Sequence, residues 1–141
     1  FSFRNSSFYN VSMIKEDVVR KWVQSAKEDL EVAKELLAGK RYAYCLFFCQ
    51  LSLEKILKAV IVNITDDAPP ITHDLVKLAV SANLSPSHEQ EVHLREITTF
   101  NIEARYDIHK DRLYKKATPD FTNAYLAVAE ELFLWIQDNL Q

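Results

Sequence analysis

One glycine, Gly39, serves a chain of 141 residues. That scarcity constrains the fold more than any other feature, because sandwiches and barrels use many glycines in tight turns, whereas long helices with short connections need almost none. Apolar and charged shares of 48% and 26% are those of an ordinary globular protein, and indicate neither disorder nor a membrane protein. The chain reads as one all-α domain, long enough for a single core and too short for two ordinary ones.

Residues 1–12, FSFRNSSFYNVS, show no helical period and read as a flexible tail, an expression remnant or a partner-binding arm, with the helical domain over 13–141. From Glu16 to Ala38 the residues Val19, Trp22, Val23, Ala26, Leu30, Ala33 and Leu37 recur at steps of three and four and trace one helix face. Gly39 follows directly and is the expected left-handed cap. The second helix, about Arg41 to Val62, is apolar nearly all round and must be surrounded by partners. Yet Gln50, Glu54 and Lys58 fall four apart and form a polar stripe down it.

Asp66, Asp67, Pro69 and Pro70 mark a loop. Thr72 is the expected N-cap of a short third helix with Leu75, Leu78 and Ala79 facing inward. Ser85-Pro86 opens a fourth helix to about Phe100, and Thr118-Pro119 opens the last, where Phe121, Tyr125, Val128, Leu132, Trp135 and Ile136 share a face. Four long helices and one short one, with brief connections, describe an up-and-down antiparallel bundle.

Several classes of chemistry are absent from the pattern. Cys45 and Cys49 lie one helical turn apart in an apolar run with no second pair, and read as small buried hydrophobes in a reducing compartment. His88 and His93 are five apart and miss the spacing of helix-borne metal ligands, so no metal site is expected. His73, just before Asp74, reads as structural. No P-loop, dinucleotide fingerprint or nucleophile elbow occurs, and no cofactor is implied. A net charge of −3 argues against non-specific coating of nucleic acid. No apolar run matches a membrane span and no signal peptide is evident, which points to the cytoplasm.

The segment RYDIHKDRLYKK, Arg105 to Lys116, is the exception to this blandness. Arg105, Lys110, Arg112, Lys115 and Lys116 stand against Asp107 and Asp111, with Tyr106 and Tyr114 interleaved, so phosphate-pairing groups and stacking surfaces occur together. If the segment is helical, Arg105 and His109 share a face one turn apart. An arginine that holds a phosphate beside a histidine that exchanges protons near neutral pH supplies the roles that metal-free RNA cleavage needs. The bland alternative pairs Arg105 with Glu103 or Asp107 on the surface and uses His109 to cap a helix end.

Taken in order, Ala26 to Leu37, Tyr42 to Val60, Thr72-His73-Asp74-Leu75 and Ala104-Arg105-Tyr106 resemble the HEPN domain family, over roughly residues 15 to 138. The resemblance implies a helical bundle that dimerises, with a groove near the dimer interface lined from the second helix and the Ala-Arg-Tyr segment. It implies nucleotide or RNA binding by Arg105, Tyr106, Lys110, Lys58 and Glu54, a homodimer, and a minimal nucleotidyltransferase as partner in a toxin-antitoxin-like pair. Many members are metal-independent RNases with an arginine followed by a histidine, which makes Arg105 and His109 the candidate catalytic pair. Three residues separate these two, one fewer than in the family's RNase pattern. A non-catalytic assembly domain, with Phe1, Phe3, Phe8 and Tyr9 packing on a partner, is the remaining alternative.

Overall fold

The computed structural model describes residues 11–105 and 107–140, with side chains described for 14–105 and 111–140. Within them the chain forms six helices: α1 (Val11–Ala38), α2 (Tyr42–Thr65), α3 (Leu75–Ser81), α4 (His88–Arg105), α5 (Asp107–Lys116) and α6 (Pro119–Gln137). The all-helical expectation holds, with one helix more than the periodicity shows. Among the described residues, no helix is long and apolar enough to cross a membrane.

α2 is the axis of the fold, and fourteen of its residues are buried, from Ala43 to Val62. α1 lies against it antiparallel, as the order of the contacts shows: Lys15 meets Asp66 at 2.6 Å, Ser25 meets Lys55 at 2.8 Å, and Ala26 meets Ser52 at 3.0 Å. Ala26 and Ala33 are fully buried in this seam, where their small side chains let the two backbones approach. α4 also runs opposite to α2, with Asn101 beside Gln50 and Arg105 beside Phe47. α6 closes the bundle through Leu126, Ala129, Leu132, Phe133 and Ile136. Its most buried positions are thus shifted from the expected face; Phe121, Tyr125, Val128 and Trp135 are only partly buried. Cys45 and Cys49 are buried free thiols. The hydrogen bond with Cys45, together with burial, holds the Cys49 thiol well above its ordinary pKa.

The helix ends correct four expectations. α1 stops beside Gly39, but the left-handed residue is Lys40, at φ 60°. Lys40 N–H donates to Leu37 O at 3.0 Å and Arg41 N–H to Leu36 O at 2.8 Å, the paired bonds of a Schellman turn with lysine where glycine is usual. Lys40→Gly is therefore expected to stabilise the protein by about 1 kcal/mol. A methyl group on Gly39 would meet Glu35 O at 3.5 Å, an ordinary contact. Gly39→Ala should thus leave the midpoint of thermal unfolding unchanged or raise it slightly.

At α3 the N-cap is Asp74, whose carboxylate accepts from Val76 N–H at 3.0 Å and Lys77 N–H at 3.2 Å. Thr72 stands two residues outside, accepting from Asp74 N–H. At α4 the cap is Ser87, because Ser87 and Gln90 form a reciprocal capping box of 3.1 and 2.8 Å that Ser85 cannot match. Finally, α4 runs on to Arg105, and the charged segment after it is a helix of its own that folds back, bringing Lys116 to Glu96 and Glu103. Thr118 caps α6 as expected, accepting from Phe121 N–H at 3.2 Å behind Pro119.

A candidate nucleotide-binding groove at the end of the fourth helix

Arg105 is the last residue of α4 and is exposed. Its guanidinium lies 5.9 Å from the centre of the Phe47 ring on α2, a cation–π contact that orients the group without neutralising it. Around the pair opens a groove of about 340 Å³. α2 contributes Ala43, Tyr44, Phe47 and Phe48 to one wall, and α5 contributes Leu113 and Tyr114 to the other. Tyr44 and Tyr114 remain 54% and 58% exposed, large apolar faces that a folded monomer leaves in water only sparingly.

Of the two surface partners considered for Arg105, the Asp107 side chain lies outside the described residues, and Glu103 is engaged elsewhere. Glu103 is held by Lys116 at 3.1 Å, and Lys116 also meets Glu96 at 2.8 Å and stands over the Phe100 ring at 5.7 Å. Burial opposes the Lys116 charge, but its bonds to Glu96 and Glu103 outweigh that and raise its pKa above the ordinary lysine value. Lys116 is thus turned inward as a clamp between α5 and α4. It is not part of a basic outer face, whereas Arg112 and Lys115 are exposed. The positive excess read from the sequence is reduced by one.

Tyr106 and the side chains of His109 and Lys110 lie outside the described residues. Arg105 ends α4 and His109 falls within α5; how their side chains stand to one another lies outside the described residues.

Glu54 and Lys58 are placed elsewhere. Lys58 is eleven residues along α2 from Phe47, about 16 Å of helix rise. The two form an ion pair of 2.8 Å, and Lys58 also stands 5.7 Å from the Trp22 ring. Glu54 accepts from Gln50 Nε2 at 3.0 Å and from His73 Nδ1 at 2.8 Å. Gln50 donates further to His73 O at 3.1 Å and accepts from Asn101 Nδ2 at 2.9 Å. Burial alone would raise the Glu54 pKa, but the bonds from Lys58, Gln50 and His73 prevail and hold it below the ordinary glutamate value. The polar stripe is therefore a knot tying α2 to α4 and to the residues before α3. Asn101 is the member that sequence reasoning missed. The available signal was the stripe itself, since a buried glutamine requires partners from neighbouring elements.

Among the described residues, no three His, Cys, Asp or Glu side chains gather to hold a metal ion. His93 packs edge-on against Tyr125 at 5.9 Å.

An all-helical domain with an arginine at the mouth of an aromatic groove is the class that fold and site define. The chain belongs to the HEPN domain family, which matches residues 19–139. Two solved structures share the fold. TT1696 from Thermus thermophilus superposes with a TM-score of 0.73 at 18% identity, over 86% of this chain and 98% of that one. An archaeal HEPN homologue superposes with a TM-score of 0.70 at 17% identity, over 87% and 98%. No curated protein matches the sequence significantly.

Proposed function

We propose that this HEPN-family domain binds a nucleotide or RNA at the Arg105 groove. In this reading it acts as a cytoplasmic homodimer beside a minimal nucleotidyltransferase, as in a toxin-antitoxin pair. The observation that carries the binding reading is the state of Arg105, stacked on Phe47 beside exposed tyrosines while the nearby Glu103 is occupied by Lys116. An arginine fork takes a phosphate bidentately, and aromatic rings offer a face to a base. Tyr106 and Lys110 border it in sequence and are its candidate auxiliaries. Glu54 and Lys58 serve the site by fixing α2.

Equilibrium binding of labelled ATP, GTP and a short RNA tests the assignment. Arg105→Ala is expected to weaken binding by about tenfold or more, the loss of one charge-assisted bidentate contact. Equal affinity of variant and wild type would overturn it. A second reading is a metal-independent RNase using Arg105 and His109, which stand four positions apart in the sequence. That reading requires RNA cleavage in EDTA and its loss in His109→Ala, and an inert wild type would remove it. A homodimer and a nucleotidyltransferase complex are checked by the mass of the protein alone and after co-expression.

A further inference from the structure

A different groove opens where α1 passes the end of α2. It has a volume of about 540 Å³ and is lined by Val18, Lys21, Trp22 and Ser25 of α1 and by Ala68 and Pro69 of the loop after α2. Spacings of three and four put the α1 residues on one helix face. The opposite wall is placed by the way α2 stops. Asp66 takes the left-handed conformation at φ 61°, donates its N–H to Val62 O at 3.2 Å and pairs with Lys15 at 2.6 Å, so the chain turns back beside α1. Pro69 and Pro70 then restrict the backbone of that wall. Trp22 is positioned from the α2 side, because the Lys58 ammonium lies 5.7 Å from its ring centre and is itself held by Glu54 at 2.8 Å. Walls placed before a ligand arrives lower the cost of binding it.

The chemistry of the lining selects the occupant. Lys21 is held by Asp17 at 3.3 Å, so an anion drawn to the one would meet the other. The Ser25 hydroxyl accepts from Lys55 at 2.8 Å, and Lys55 is held by Asp29 at 2.7 Å. The rest of the lining is an indole ring, a proline and aliphatic carbon. A charged ligand would therefore lose water there and gain no partner. A stable protein interface takes roughly twenty residues or more from each side, far more than line this groove. Its volume instead falls within the range of about 300–1,000 Å³ that small-molecule clefts occupy.

We infer that this groove is a binding site for a neutral, flat, mainly apolar small molecule, which stacks on Trp22 and packs against Pro69. The site is separate from the Arg105 groove. Lys58, which stands beside Trp22, is about 16 Å of helix rise from Phe47, and the inference does not depend on the proposed function.

The chain holds two tryptophans, Trp22 and Trp135, so Trp135→Phe leaves Trp22 as the one indole N–H signal in a nitrogen–proton correlation spectrum of the full chain. Three probes of one shape are titrated against it: a naphthylmethanol, the corresponding naphthoate and the naphthylmethylammonium ion. The neutral alcohol is expected to shift the Trp22 indole signal and the Val18 and Ala68 amides saturably, and to bind at least about tenfold more tightly than either ion. Trp22→Ala, read from the two amides, should weaken the alcohol about tenfold through loss of the ring contact. Ala68→Glu should weaken it as much by placing a charge in the wall. Ala68 is exposed, so the fold accommodates that change, and an otherwise unaltered spectrum will verify it. Equal affinity of the three probes would overturn the assignment of a neutral ligand. Absence of saturable shifts at Trp22 and Ala68, or shifts confined to the amides around Phe47, would overturn the site. Undiminished binding in Ala68→Glu would overturn it as well.

Discussion

A Phe100→Ala protein is expected to be less stable than wild type by about 3–5 kcal/mol, read from the urea midpoint at unchanged slope. Phe100 is fully buried on α4. Its ring meets Phe121 edge-on at 6.0 Å and Tyr125 at 5.6 Å, both on α6, and the Lys116 ammonium lies 5.7 Å from its centre. Truncation thus empties a side-chain volume where α4, α5 and α6 converge, and removes aromatic pairs worth about 0.5–1.5 kcal/mol each beyond their area. Phe100→Leu, which keeps most of the volume, should lose roughly half as much or less. A Phe100→Ala loss below about 1 kcal/mol would show that α4 and α6 do not share one cooperative core.

The second large effect belongs to Glu54, which is 6% exposed. Glu54→Ala strands Lys58, Gln50 and His73 without their common acceptor, and a loss of about 3 kcal/mol is expected, the lower end for breaking a buried ion pair because His73 is half exposed and can turn to water. The same residue sets a pH dependence. Its folded-state pKa lies below the ordinary value of 4.5, so the stabilisation is complete above that value and disappears as pH falls through the folded pKa. Urea midpoints taken from pH 6 downward (a range chosen about the carboxylate titration) should fall for wild type and fall less for Glu54→Gln. Parallel curves for the two proteins would remove Glu54 as the source of acid sensitivity.

How much of this was legible in the sequence follows from the reach of each interaction. The scarce glycine, the buried second helix and the Thr118-Pro119 start are local signals, and each matched its element. The caps at Asp74, Ser87 and Lys40 were each misplaced by one or two residues. At α3 and α4 two capping residues two positions apart offered competing chemistry, and side-chain hydrogen bonds chose between them. α5 carries mostly charged side chains with little periodicity, so its helix was legible only as a condition.

The site was partly visible for the same reason. Arg105 and Tyr114 stand out by residue type in a short segment. The other groove residues Tyr44 and Phe47 come from α2, some sixty residues earlier, in a helix read as apolar nearly all round. Likewise the inward turn of Lys116 depends on Glu96 and Glu103, acids thirteen to twenty residues earlier on α4 that lie beside it only in the folded chain. Charge tallies along a sequence do not show such capture.

The two walls of the groove also differ in how they are anchored. The α2 wall is one face of the most deeply buried helix. The α5 wall is a ten-residue helix whose anchors, among its described side chains, are the buried Leu113 and the Lys116 ion pairs. A ligand in the groove therefore meets one wall set into the core and one held in part by ion pairs. Salt, or a charge change at Glu96, then tunes recognition without touching the ligand at all.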